Sequence, residues 1–156
     1  AGLRRKLGLF TARDDDPGLA NDLLKAMAEN AADFTLTFRR LSAAAADPAG
    51  DAEVRKLFTD PAAFDAWVVR WRQRIATEPQ DAATRRAAMG AVNPAFIPRN
   101  HRVEAVIRAA VDHSDFAPFE ELLTVLARPC EDQPALAQYM DPPARHERVL
   151  QTFCGT

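Results

Sequence analysis

Prolines constrain this chain most, because they cut a helical sequence into pieces at well-defined junctions. Eleven occur in 156 residues, most of them where an apolar pattern of three- and four-residue spacing starts or stops. Proline has no N–H and a fixed φ, so it fits the first turn of a helix but not the interior. Asp16-Pro17 and Asp60-Pro61 therefore read as helix starts, an N-cap acceptor followed by proline at the first helical position. Glu78-Pro79 and Arg128-Pro129 read as stops, and Asp47-Pro48-Ala49-Gly50 as another. No stretch alternates as strands joined by hairpin turns would.

The segments between these junctions carry helical stripes. Leu3, Leu7 and Phe10 share one face, and Leu19, Leu23, Leu24 and Met27 another. Residues 33–41 fit either period, since Phe34, Leu36 and Phe38 alternate while Phe34, Phe38 and Leu41 follow a helix. The alanines at 43–46 continue without a turn signal and decide for the helix. Phe64, Trp67, Val68, Trp71 and Ile75 give the clearest stripe, with Arg70, Arg72 and Arg74 expected on its other side. A short helix over 80–91 is expected to turn Ala83, Ala87 and Val92 inward. Val103, Val106, Ile107, Ala110 and Val111 form one later stripe, and Phe119, Leu122, Leu123 and Leu126 the next. Asp141-Pro142-Pro143 reads as the start of a last short helix. The expected fold is all-α, about seven or eight helices in a single region over residues 1–156.

Composition narrows the function. The net charge of −2 leaves no basic excess for phosphate contacts, so nucleic acid is not an expected partner. No apolar run approaches the roughly 20 residues of a membrane span, and a membrane partner is not expected. The chain begins at Ala1 in what reads as mid-helix, as a piece of a longer protein would. Cys130 and Cys154 form no close ligand pair for zinc, and reduced thiols in the cytoplasm are the expectation. The expected catalytic, cofactor and metal residues in this chain are none. It has no glycine-rich phosphate loop followed by lysine, no His-Arg-Asp or Asp-Phe-Gly element and no Gly-x-Ser-x-Gly.

Several residues resist a purely structural reading. In Asn93-Pro94-Ala95-Phe96-Ile97-Pro98-Arg99-Asn100 two prolines force an extended link, with Asn100 as the expected N-cap of the following helix. Asn93, Arg99 and Asn100 can serve the free backbone groups of such a link, or support a ligand or a neighbouring lobe. His101, His113 and His146 lack ligand spacing and read as solvated. The Asp14–Asp16 run reads as a solvated loop, and Arg39, Arg40, Arg85 and Arg86 as solvated or paired with acids. Cys130 reads as a small buried filler. Cys154, third from the end in a tail with Gly155 and Thr156, is the redox candidate.

Five ordered blocks resemble the selenoprotein O family. They are Lys6-Leu7-Gly8-Leu9, residues 33–41, residues 89–100, Arg128-Pro129-Cys130-Glu131-Asp132-Gln133-Pro134, and the tail Cys154-Gly155-Thr156. Cys130 departs from the pattern, standing where the family has tyrosine. The resemblance implies the helical C-terminal portion of a kinase-like protein adenylyltransferase, which transfers AMP from ATP to protein hydroxyl groups with magnesium. The residues holding ATP and magnesium would lie upstream and be absent here, so that this chain alone would be inactive. Its partners would be the upstream kinase-like lobe and the protein substrates of the parent. Cys154 matches the family's C-terminal cysteine, for which the resemblance implies redox control. An autonomous helical interaction module without enzymatic activity is the alternative. A severed piece should leave apolar surface uncovered, and an autonomous module should not.

Overall fold

The structure, a computed structural model, describes residues 2–149 and is all-α, with no strand among the described residues. These residues fall into two compact units that divide between Pro94 and Ala95, inside the proline-bounded link. The first unit contains α1 (Gly2–Lys6), α2 (Asp16–Glu29), α3 (Phe34–Ala44), α4 (Asp51–Arg55), α5 (Pro61–Ile75) and α6 (Ala82–Gly90). The second contains α7 (Asn100–His113), α8 (Ala117–Leu126) and two 3-10 segments, Pro134–Met140 and Arg145–Glu147.

The helix starts follow the chemistry of their first residues. The Asp33 carboxylate accepts the Leu36 amide at 2.8 Å, Asp60 accepts that of Ala62 at 3.0 Å and Asp81 that of Thr84 at 2.7 Å. Each satisfies a donor that has no partner within its own helix. α2 begins one residue earlier than expected, with Asp15 at the cap and Asp16 inside. α1 ends in a Schellman turn. Leu9 N–H reaches Arg4 O at 3.0 Å and Gly8 N–H reaches Arg5 O at 3.2 Å. Gly8 sits at φ 70°, where a Cβ would fall 2.7 Å from the Met89 sulfur. Backbone conformation and close approach both require glycine there.

The core of the first unit is built on the α5 stripe. Trp67 and Trp71 are buried, with ring centroids 5.7 Å apart and planes 15° from parallel. Their indole N–H groups donate to Leu19 O at 2.8 Å and Leu7 O at 2.9 Å, so neither ring carries an unsatisfied donor inward. Leu23 and Met27 of α2, Phe38 and Leu41 of α3, and Val54 of α4 pack into the same core. The α6 face differs from the expected one. Arg85 and Met89 are buried, whereas Ala83 and Ala87 are exposed. Met89 fills more of the interior than the alanines can. The Arg85 guanidinium is held by Ile75 O at 3.0 Å and Gln80 O at 2.8 Å.

The second unit has a smaller core. Ala95, Phe96 and Val125 are buried, with Leu126, Leu136, Tyr139 and Met140 packed against them. The Ala95 and Phe96 amides both donate to Pro129 O, at 2.7 and 3.1 Å. The Tyr139 hydroxyl donates to Glu121 at 2.6 Å. Burial, followed by that carboxylate, pushes its pKa up to about 12. Two expected stripes are only partly covered. On α7, Val106 is buried while Ile107 is 50% and Val111 76% exposed; on α8, Leu122 and Val125 are buried while Phe119 is 45% and Leu123 53% exposed. Phe116, between the helices, is 58% exposed. A well-covered core would leave no such row of large apolar side chains in water.

Candidate functional site

The singled-out residues fall into both units. Asn93 and Pro94 belong to the first and Arg99 and Asn100 to the second. Asn93 is fully buried, and its side chain ties three segments together. Its Nδ2 donates to Lys6 O at 2.9 Å and Ser42 Oγ at 3.0 Å, while its Oδ1 accepts from Lys6 Nζ at 3.2 Å. Lys6 Nζ also donates to Val92 O at 3.0 Å and lies 5.5 Å from the Phe38 ring centroid. Arg39 Nη1 donates to Gly90 O at 3.2 Å and Asn93 O at 3.1 Å. This arginine serves carbonyls at the C-terminus of α6, where a cation is favourable. Asn93 thus does what an irregular buried link demands, which is to replace lost backbone partners with side chains.

The link runs without helix to Arg99, and α7 starts at Asn100. Asn100 is therefore the first helical residue rather than the cap. Arg99 occupies the cap position with extended backbone, and no side chain caps the helix. The Arg102 and Val103 amides both reach Arg99 O, at 2.9 and 3.0 Å. The amides of Asn100 and His101 have no acceptor among the described residues. Next to this turn lies an open cleft of about 420 Å³, lined by Ile97, Pro98, Arg99, Asn100, His101 and three later residues, Pro143, Arg148 and Val149.

His101 departs from its expected place in solvent. Its position in the first turn of α7 buries it to 7% exposure, and neither ring nitrogen has a hydrogen-bond partner. Burial first, then the Arg102 cation, hold its pKa below the usual histidine range. His113 and His146 are exposed, as expected. Cys130 is partly exposed rather than a buried filler. Cys154 lies outside the described residues.

The largest departure from expectation is in the first unit. Arg74 and Asp16, read as solvated, are 6% and 1% exposed. Arg74 Nε donates to Asp16 Oδ1 at 2.7 Å and Nη2 to Oδ2 at 3.3 Å, while Nη1 donates to Glu78 Oε1 at 2.7 Å and Nη2 to Thr11 O at 2.9 Å. Thr11 adds its amide and hydroxyl to Glu78 at 2.9–3.2 Å. Burial alone would raise both carboxylates. Hydrogen bonds from Arg74 and the Arg13 amide outweigh it at Asp16, and those from Thr11 and Arg74 outweigh it at Glu78, so both titrate below their usual values. Asp16, chiefly, and Glu78 raise Arg74 in return. Arg70 and Arg72 pair separately, with Asp22 at 2.8 Å and with Asp51, so the three arginines form no common anion clamp. The network is saturated and holds α2, α5 and the segment at Thr11 together. It offers no open position for a reactant. Among the described residues no three carboxylates, histidines or cysteines are grouped to hold a metal ion, and no helix is long and apolar enough to cross a membrane.

The sequence matches the family model described as protein adenylyltransferase SelO over residues 1–127. It is 70% identical to a protein nucleotidyltransferase YdiU of Rhodopseudomonas palustris strain BisB18. It is 67% identical to that of Bradyrhizobium diazoefficiens strain USDA 110 and 63% identical to that of Methylorubrum populi strain BJ001. These alignments cover 99–100% of this chain and 32% of each relative's length.

Proposed function

This chain belongs to the SelO family of protein adenylyltransferases, and from that premise we propose that it is the supporting helical portion of such an enzyme. The parent would transfer AMP from ATP to hydroxyl groups of protein substrates, with magnesium. ATP and the metal would be held by a kinase-like lobe outside this chain, and the second unit would pack on that lobe. The observation that carries this reading is the row Ile107, Val111, Phe116, Phe119 and Leu123, whose exposure of 45–76% leaves the apolar stripes of α7 and α8 without a cover. A chain spanning 32% of its relatives' length leaves ample sequence to supply one. The same uncovered row counts against the autonomous-module reading.

Calorimetry tests the division of labour. Magnesium and ATP titrated into this chain alone should give no heat of binding beyond dilution, and saturable magnesium-dependent binding would overturn the proposal. Cys154 is proposed as a redox residue of the intact protein, pairing with a cysteine outside this chain. Oxidation there joins two thiolates in one S–S bond as an external oxidant, such as a disulfide, takes up two electrons. Non-reducing peptide mapping of the oxidised parent should find Cys154 in a disulfide; finding it always as a thiol would remove that role.

A further inference from the structure

His101 stands at a seam within the second unit. The cleft beside the first turn of α7 and the hollow next to it share His101, Arg148 and Val149 in their walls, so these residues lie between the two. One side of the seam is α7. The other is residues 142–149, a surface strap in which only Pro143 and Val149 are half-buried. Among the described residues, the hydrogen bonds of this strap stay within it. The Ala144 amide donates to the Glu147 carboxylate at 2.8 Å, and the Glu147 amide donates to Ala144 O at 2.9 Å. Packing, with no hydrogen bond across the seam, holds the strap to α7. Both ring nitrogens of His101 are sealed from solvent at this seam and have no hydrogen-bond partner. A neutral imidazole there goes without its usual partners, and a charged one would lose its hydration as well. Arg99 and Arg102 oppose a positive ring, whereas Glu147 and Asp141 favour one. Glu104 and Arg108 of α7 and His146 of the strap border the same hollow. The balance falls against charge, because burial is the largest effect and Arg102 the next.

We propose that the strap over residues 142–149 is an acid-released cover on α7, with the His101 ring as its trigger. Closed, the strap encloses a neutral ring. A proton taken up by the ring makes an imidazolium with two donors and neither an acceptor nor water in reach. The ring regains hydration only when the strap lifts and the two hollows join. An exposed histidine titrates near pH 6.5, and the enclosed ring below that. The open form therefore binds more protons below about pH 6.5. Closure is fully favoured above that value and weakens as pH falls toward the enclosed ring's own pKa. Within this window the open-to-closed ratio should grow about tenfold per pH unit. Glu147 stays ionised there, since the Ala144 amide holds it below the usual carboxylate range. This device is separate from the AMP-transfer reading, so either can fail without the other.

The test is NMR of the full 156-residue chain from about pH 7.5 to about pH 5 at constant ionic strength. It follows the His101 ring, the strap amides and the NOEs between that ring and the Val149 methyl groups. The NOEs should be present at the upper end. Below about pH 6.5 they should fade as the strap amides shift, with the same midpoint as protonation of the ring. The amides of α7 and α8 and the indole signals of Trp67 and Trp71 should stay in place. His101→Phe keeps an aromatic ring without a titratable nitrogen and should leave the strap closed at the acid end. If that variant loses its helical far-UV spectrum, agreement of the ring and strap midpoints in the unaltered chain decides. His146→Gln, at an exposed position in the strap itself, should leave the release unchanged. Ring protonation with the NOEs retained would overturn the proposal, as would a ring still neutral under a closed strap at the acid end. So would release in His101→Phe, its loss in His146→Gln, or unfolding of α7 and α8 together with the strap.

Discussion

Replacing Arg74 with methionine should destabilise the first unit severely, and by an amount that depends on pH. The guanidinium is the shared cation of two buried carboxylates, donating to Asp16 at 2.7 and 3.3 Å and to Glu78 at 2.7 Å. Methionine keeps most of the stem's volume but leaves Asp16 with the Arg13 amide and Glu78 with Thr11. Removing one partner of a buried charge network costs about 3–5 kcal/mol, against a total of about 5–15 kcal/mol for a domain. With a urea slope near 1.5 kcal/mol/M, the midpoint should fall by about 2–3 M at pH 7. Trp67 and Trp71 are the only tryptophans and both lie in this core, so their fluorescence reports its unfolding directly. In the unaltered chain both carboxylates titrate below their unfolded values. Their stabilisation is therefore present above about pH 4 and is lost as pH falls through the depressed values. In the variant, burial acts without the cation and raises both carboxylates above their unfolded values, so protonation stabilises its folded form. The penalty should shrink steadily from pH 7 toward about pH 4.5. A loss under about 1 kcal/mol, as for an exposed pair, or a penalty independent of pH, would refute the buried-network reasoning.

Two further substitutions probe the backbone logic of the same unit. Asn93→Leu removes the Nδ2 donor that Lys6 O and Ser42 Oγ both accept from, at 2.9 and 3.0 Å. It should cost about 2–4 kcal/mol in a urea melt, while an effect within error would make the asparagine dispensable. Ala31 follows α2 with φ at 51°, where a non-glycine residue is strained. Ala31→Gly should therefore raise stability by about 1 kcal/mol, read as a higher thermal midpoint, and a lower midpoint would contradict it.

Legibility in the sequence followed the kind of interaction. Asp60 announced its helix because a cap is local, a side chain meeting an amide two residues on. The Trp67–Trp71 stripe announced the core because its spacing repeats. Arg74 did not, although it had a signal: it lies three residues after Trp71 and seven after Trp67, on the buried stripe itself. Its charge directed the reading to solvent, and its partner Asp16 is 58 residues away. The periodicity of α7 and α8 was legible, but periodicity marks an apolar face without saying what covers it. Asn93 was recognisable as the end of a forced extended link, whereas its bonds to Lys6 and Ser42 arise only once α1 and α3 are packed. His101 carried no spacing to mark it, since its burial follows from where the first turn of α7 begins.

Transfer of labelled AMP from ATP to protein tests the central claim most directly, with this chain and the chain extended by its native flanking sequence assayed side by side. The account predicts transfer by the extended protein and none by this chain alone. Transfer by this chain alone would place the chemistry within its 156 residues and contradict the claim, and transfer by neither would contradict the adenylyltransferase reading of the parent.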